Sequence, residues 1–545
     1  MSRQEVLAVT VPSVEERRRA IERETLPANI GALLDAAADE VPERQALNFF
    51  ESGEALTYAG LRAQVNRLAN GLARAGVRRG SHVGVMLPNI AALPVTWLAL
   101  GRLGAVMVPM NIAYTAREMT YVIEDGEVDQ LVIHEDCLPT LAGLSPLPAR
   151  LKPECIFVVG AGDGGFRRWD RLIEGERSDF TPMAAVGLDD LLNIQYTSGT
   201  TGFPKGCMLP HRYWLTIGRV NAFRDGRDYR RILAATPFFY MDPQWLTTMT
   251  FWRRATLFVA RRQSASRFMD WVREHRIQFT LFPELVFKQP PNLRDRENEI
   301  IRVNMYGLHK ENHAALEERF DFIAREAFGM TEIGSGMFMP IEATDMVGSG
   351  SCGKPSPYRE ARIVDAEDRP VRQGEVGELQ IRGPGMLQGY YNKPEATAAA
   401  LKDGWFRTGD LFRQDERGYF YIVGRLKDMI RRAGENIAAR EVEAVLRGMP
   451  EVVEAAAVPV PDDTRGQEVK VYLVLKPGLK PADLPPERLI QFCEANLAKF
   501  KVPRYIAYID KLPKTPSEKI AKQKLVQDVA DLRQGSFDRV VGKWL

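Results

Sequence analysis

Cysteine is scarce in this chain of 545 residues. The five present, Cys137, Cys155, Cys207, Cys352 and Cys493, are odd in number and scattered, with no paired metal-type spacing. Neither a disulfide framework nor a cysteine-bound metal is expected, and a reduced cytoplasmic setting fits best. A charge excess is also missing. Lys and Arg number 73 against 71 Asp and Glu, a formal net charge of +2, which gives no global reason for a nucleic-acid or membrane-surface partner. Long apolar runs are absent as well. The best candidate, 91–110, carries Arg102, two prolines and two glycines, and reads as a buried helix over 93–103 followed by a strand over 105–109. The first 24 residues are charged, include Arg17-Arg18-Arg19, and lack the continuous apolar core of a secretory signal. Internal repeats and low-complexity tracts are not seen.

What is present is length, and alternation. A chain of 545 residues exceeds one hydrophobic core, so two or more domains are expected. Over 30–180, amphipathic helices such as 58–75 alternate with short apolar runs at 82–87 and 130–133, the pattern of a doubly wound parallel sheet. The alternation resumes over 211–339, with strands at 233–237, 256–260 and 279–282 and a helix over 266–275. The block 348–410 is richer in Gly, Pro and short alternating runs such as 378–382, and reads as a small β unit closing the large domain. Past 425–428 the pattern becomes a compact α+β unit, with helices at 441–447 and 484–497 and strands at 454–460 and 468–475. The expected fold class is α/β: a large N-terminal domain of doubly wound sheets plus the β unit, residues 1–425, then a small mobile α+β C-terminal domain, residues 426–545.

The most informative stretch is Thr197-Ser198-Gly199-Thr200-Thr201-Gly202-Phe203-Pro204-Lys205-Gly206, which follows the strand-like run 191–196. Glycines allow tight bends and close approach, hydroxyls and free N–H groups line an anion, and Lys205 adds a point charge. The spacing is not Gly-x-x-x-x-Gly-Lys-Ser/Thr, so an ordinary P-loop kinase or ATPase is a poor match. A flexible polar linker is the bland alternative, but linkers rarely place Pro-Lys-Gly directly after a buried strand.

The loop resembles the phosphate-binding signature of the adenylate-forming superfamily of acyl-CoA synthetases, peptide-synthetase adenylation domains and luciferases. Further matches follow in the family's order: Phe328-Gly329-Met330-Thr331-Glu332, Thr408-Gly409-Asp410, Gly424-Arg425-Leu426-Lys427-Asp428, and Pro513-Lys514-Thr515-Pro516-Ser517-Glu518-Lys519-Ile520. The resemblance implies that ATP, CoA and Mg²⁺ are used. Thr197, Ser198, Gly199, Thr200, Thr201, Gly202 and Lys205 would handle the phosphates, and Thr331 the α-phosphate. Glu332 would ligate Mg²⁺, Phe328 with Gly329 would stack on adenine, and Asp410 with Arg425 would hold the ribose. Lys519 would bridge the carboxylate and the α-phosphate, although Glu518 stands where relatives usually have Gly. Without the resemblance, Lys519 reads as a charged helix start.

By the same resemblance Lys427 falls at the hinge of the small domain, and Gly434 lies in a hairpin lining the pantetheine channel. Phe500, among Lys499, Lys501 and Arg504, suits the CoA adenine and phosphates, or is part of a solvated basic turn. Phe239, Tyr240, Asp242 and Trp245 lie where the family lines the acyl pocket, with Tyr240 where many relatives carry His. Asp242 is either the counter-charge of a cationic substrate or a helix cap. The Asp-x-Gln element and Gln289-Pro290-Pro291 look most like the crotonobetaine/carnitine–CoA ligase branch. The implied reaction is ATP-dependent carboxylate–CoA ligation through acyl-AMP, on a small or betaine-like acid. An acyl-AMP ligase loading a carrier protein and a non-catalytic nucleotide-binding relative stay open. Partners are then the carboxylic acid, ATP and CoA, with a homodimer compatible and no nucleic acid or transmembrane segment expected.

Overall fold

The computed structural model describes residues 3–197, 204–432, 435–515, 519–527 and 529–545. The chain resolves into two compact units: 1–197 with 205–361 and 381–406, and 198–204 with 362–380 and 407–545.

In the first unit the helix–strand alternation builds two sheets. Among the described residues, one sheet orders its strands Arg167–Arg168, Ile156–Val159, Gln130–His134, His82–Met86, Val106–Pro109, Leu191–Thr197 and Lys205–Pro210. All neighbours are parallel except the last pair, which forms an antiparallel hairpin. Its central strands are apolar on both faces, as a helix-covered parallel sheet requires. The helix Tyr58–Arg74 that packs beside it is capped by Thr57, which accepts from the Gly60 N–H, and it buries Leu61, Val65, Leu68 and Leu72 at helical spacing. The membrane candidate is the helix Ala92–Leu103, buried around almost its whole circumference and ended by Gly104 at φ 69°. Among the described residues no helix is long and apolar enough to cross a membrane.

The second sheet runs through Ile323–Met330, Arg302–Met305, Phe279–Leu281, Arg231–Ala234, Thr256–Val259 and Gln45–Phe49 in parallel. Antiparallel strands Gly334–Phe338 and Glu54–Thr57 flank this run. The two sheets are joined by buried amides. Asn193 Nδ2 donates to Gln244 Oε1 at 2.9 Å, Gln244 Nε2 donates to Gln195 Oε1 at 3.3 Å, and Trp97 Nε1 donates to Asn193 Oδ1 at 2.9 Å. Asn89, just past the strand His82–Met86, donates to the carbonyls of Thr236 and Ala260 and accepts from the Phe238 N–H. Gln244 of the Asp-x-Gln element is fully buried in this seam.

The small β unit extends further than its composition indicates. The strand Trp405–Gln414 pairs with Phe420–Arg425, and residues 362–380 and 407–425 group with the C-terminal part of the chain. In the second unit a further sheet centres on the antiparallel pair Val452–Asp462 and Gly466–Leu475, extended by Tyr505–Tyr508, Phe537–Asp538 and Lys543–Trp544. Helices Ala439–Arg447 and Pro486–Asn496 give Val442, Leu446, Leu489 and Cys493 to its core.

Candidate active site

In an open parallel sheet, ligands bind beyond the carboxyl ends of the strands, where connecting loops diverge. The expected phosphate loop arises at such an end. Thr197 closes the strand Leu191–Thr197 and pairs in register with Lys205, the first residue of the returning strand. The Thr197 hydroxyl approaches the Lys205 carbonyl at 3.4 Å. Gly206 is required by this hairpin, since a Cβ there would lie 2.5 Å from Ile194 Cγ2. Ser198, Gly199, Thr200, Thr201 and Gly202 lie outside the described residues.

Lys205 is half-buried. Its ammonium lies 4.1 Å from the centre of the Tyr390 ring, and the Tyr390 hydroxyl donates to Glu332 Oε1 at 2.9 Å. Glu332 sits in the turn between the strands Ile323–Met330 and Gly334–Phe338, 8% exposed. Gly329 packs so closely on that turn that a Cβ would lie 2.6 Å from the Gly334 carbonyl. Phe328 and Thr331 beside it are half-buried, and Thr331 Oγ1 contacts Met241 Sδ at 3.8 Å. Among the described residues no three His, Cys, Asp or Glu side chains cluster as a metal cage. A single buried carboxylate fits Mg²⁺, which takes one or two carboxylates and fills the rest of its shell with phosphate oxygens and water.

In the second unit, antiparallel register sets Asp410 directly opposite Arg425. Their side chains share a face and pair at 3.0 Å, with Asp410 1% exposed. Burial raises the Asp410 carboxyl above its ordinary value, while the charges of Arg425, Arg440 and Lys519 pull it down. Lys519 does not start a helix. The Thr515 N–H donates to the Lys519 carbonyl at 2.8 Å, and Lys514 and Ile520 form an antiparallel bridge. Glu518 lies outside the described residues.

Lys427 is exposed in the 3₁₀ turn Leu426–Asp428, between the strands Phe420–Arg425 and Met429–Arg432. Gly434 lies outside the described residues. Phe500 is half-buried against the core of the second unit. The cations around it are largely committed. Lys501 pairs with Glu441 at 2.7 Å, and Arg504 pairs with Asp462 at 2.9 Å and Asp538 at 3.2 Å. Lys501 and Arg504 are thus held in ion pairs, whereas Lys499 is exposed.

A cavity of about 190 Å³ opens at the carboxyl ends of the strands Arg231–Ala234, Phe279–Leu281 and Arg302–Met305. Of the four expected acyl-pocket residues, Asp242 is on its wall, and the others are not. Asp242 does not cap its helix: the helix Met241–Arg253 takes Tyr240 as N-cap, without a side-chain cap bond. Asp242 lies in the first turn and accepts from Trp245 Nε1 at 3.1 Å, which leaves the indole 1% exposed beneath it. Phe239 is buried edge-on against Tyr240, whose hydroxyl accepts from Asn111 at 3.3 Å. The wall residues missed from the sequence are Phe282, Glu284, Asn304 and Tyr306. The signal available for them was their place at or just after the carboxyl ends of two parallel strands, Phe279–Leu281 and Arg302–Met305. Arg224 donates to Asn304 Oδ1 at 2.8 Å, which fixes the amide with its donor end free of the guanidinium.

The family model of AMP-binding enzymes matches residues 34–391, and that of the AMP-binding enzyme C-terminal domain matches 441–519. The chain belongs to the AMP-binding enzyme family. This AMP-binding enzyme is 31% identical to a crotonobetaine/carnitine–CoA ligase of Salmonella typhi, covering 91% of the chain and 98% of that protein. It is 34% identical to a feruloyl-CoA synthase of Amycolatopsis, over 86% and 93% respectively. The ATP-bound structure of MatB from Rhodopseudomonas palustris superposes with a TM-score of 0.81 at 27% identity, covering 91% of this chain and 98% of that one. The fold is shared too with o-succinylbenzoate CoA synthetase of Bacillus subtilis in complex with an acyl-adenylate, at a TM-score of 0.80 and 24% identity over 93% and 99% of the two chains.

Proposed function

We propose that the protein is an AMP-forming carboxylate–CoA ligase, which converts a carboxylate and ATP to acyl-AMP and pyrophosphate and then passes the acyl group to CoA with release of AMP. The observation that carries this reading is the buried pair of Asp410 and Arg425, set opposite each other by strand register and joined at 3.0 Å, the two groups that the resemblance assigns to the ribose. In the proposed scheme Asp410 and Arg425 fix the ribose, and Phe328 stacks on the adenine. The loop from Thr197 to Lys205 cradles the phosphates, Thr331 and Lys519 hold the α-phosphate, and Glu332 ligates Mg²⁺. Bound there, Mg²⁺ would neutralise phosphate charge. Residues 1–425 form the large domain of this scheme and 426–545 the mobile one, with Lys427 as pivot, and Gly434 and Phe500 on the CoA side. Five unpaired cysteines are in keeping with a cytoplasmic enzyme, as monomer or homodimer.

The acid is compact and carries a cationic group. A cavity of about 190 Å³ exceeds only modestly the ~150 Å³ that holds a benzene-sized ligand. Asp242, Glu284, Tyr306 and Phe282 stand on its wall. A desolvated cation held by a carboxylate and an aromatic face gains on the order of a hundredfold over a neutral isostere. The test is a panel of acids assayed for AMP and CoA-thioester formation, followed by kcat/KM for a betaine-type acid and a neutral acid of the same shape. The cationic acid is expected to win in the wild type, and Asp242→Asn to erase most of its advantage. Preference for the neutral acid, or a ratio unmoved by the substitution, defeats the cationic reading. Acyl-AMP formed without CoA thioester points to a carrier-protein acceptor, and no pyrophosphate exchange with any acid points to a binding relative.

A further inference from the structure

Tyr390 comes from a segment that none of the five motifs includes, yet it touches two of the residues on which the proposed chemistry depends. Its backbone is fixed from both sides. Residues 388–391 run beside the strand Lys205–Pro210: Met208 N–H donates to the Gly389 carbonyl at 2.9 Å, Gln388 N–H to that of Met208 at 2.9 Å, and Tyr391 N–H to that of Gly206 at 2.8 Å. The Tyr390 N–H donates to Thr397 Oγ1 at 2.9 Å. The same segment also holds Glu332 by its main chain, through Leu387 N–H to the Glu332 carbonyl at 2.8 Å. From this frame the side chain, 5% exposed, gives its hydroxyl to Glu332 Oε1 and its ring face to the Lys205 ammonium.

The arrangement keeps two opposite charges one side chain apart. Paired directly, Lys205 and Glu332 would neutralise each other, and that pair would have to break before either met a phosphate or a metal ion. A ring face holds an ammonium more loosely than a carboxylate does, and one hydroxyl occupies one oxygen of a carboxylate that has two. We infer that Tyr390 is a positioning residue with two separable parts: the hydroxyl orients Glu332 toward a divalent cation, and the ring presents Lys205 to the phosphates. This rests on the proposed roles of Glu332 and Lys205.

The test uses the full-length protein and the variants Tyr390→Phe and Tyr390→Leu. Mn²⁺ serves as the probe, titrated by electron paramagnetic resonance in the presence of ATP, alongside pyrophosphate exchange and thermal unfolding. Tyr390→Phe keeps the ring. It is expected to weaken Mn²⁺ binding by about 10- to 100-fold, the usual cost of losing a partner of a metal ligand, with the KM for pyrophosphate and the Tm unmoved. Tyr390→Leu is expected to weaken Mn²⁺ equally and also to raise the KM for pyrophosphate by about threefold or more. Unchanged Mn²⁺ affinity in Tyr390→Phe overturns the role of the hydroxyl, and an unchanged KM for pyrophosphate in Tyr390→Leu overturns that of the ring. If Mn²⁺ affinity falls and the KM for pyrophosphate rises in both variants alike, together with a lower Tm, Tyr390 is packing only. Absence of an ATP-dependent Mn²⁺ site in the wild type would instead remove the metal role of Glu332, and this inference with it.

Discussion

Asp410 shows at the scale of a single residue how a carboxylate is buried at a cost. Three cations act on its carboxylate, yet burial still holds the carboxyl above its ordinary range. A carboxyl raised in the folded state binds protons more tightly there than in the unfolded chain. Its contribution to stability is present below pH 3.8, its ordinary value, and is lost as the pH rises through the folded value. At neutral pH the ionised group therefore opposes folding. Asp410→Asn is expected to raise the Tm at pH 7, by a margin that shrinks as the pH falls toward about 4, and to weaken ATP binding by about tenfold or more. Thermal scans across pH and a nucleotide titration check both halves. A lower Tm at pH 7 would show that the carboxylate gains more from its cations than burial costs it. Asp410, Arg425 and Glu332 could be picked out in the sequence because each stands inside its own motif. Tyr390 could not, because its partners are distant in sequence and come together only through strand pairing. Trp245, expected to line the acyl pocket, gives its indole N–H to Asp242.

Among elements, the parallel strands were the most legible. Runs apolar on both faces gave His82–Met86, Gln130–His134 and Thr256–Val259 within a residue or so. The composition of the β unit, by contrast, gave no warning of its continuation. The turn between Trp405–Gln414 and Phe420–Arg425 is pinned by Asp415, whose carboxylate accepts from the Arg417 and Tyr419 N–H groups. That turn carries the chain straight into the Leu426–Asp428 turn. There Leu426 is helical, and a proline at the next position would push it out of the α region. Lys427→Pro is expected to leave pyrophosphate exchange largely intact and to collapse thioester formation from supplied acyl-AMP. Separate assays of the two half-reactions read this out, and both remaining intact would show that the pivot lies elsewhere.

At the scale of the whole molecule, the family match ends at residue 519 while the second unit continues. The last strands, Phe537–Asp538 and Lys543–Trp544, extend its sheet beyond Tyr505–Tyr508. Lys470, 2% exposed, donates to the Leu532 and Gln534 carbonyls, and burial lowers its pKa to about 8. Phe537 is part of the core, and Asp538 shares Arg504 with Asp462. Deleting residues 529–545 strands a buried ammonium and half of an ion-pair network. The expected loss is roughly 3 kcal/mol or more, a fall in Tm of several degrees on calorimetry. An unchanged transition would mean that the tail only decorates the unit. The sequence offered no reading of this segment, since its short strands carry too few residues to display alternation.

The buried amides that join the two large sheets have a consequence of their own. Apolar surfaces can slide past one another with little change in energy, whereas amide hydrogen bonds are directional and accept a narrow range of angles. Asn89, Asn193, Gln195 and Gln244 therefore act as an angular stop between the sheet that ends in the Thr197–Lys205 hairpin and the sheet whose strand ends wall the cavity beside Asp242. A seam of leucines of equal volume would hold the sheets together about as firmly, but would let their offset drift. The amides contribute alignment rather than adhesion, and in a reaction that joins two small molecules end to end, alignment is what one part of the molecule must guarantee to the other.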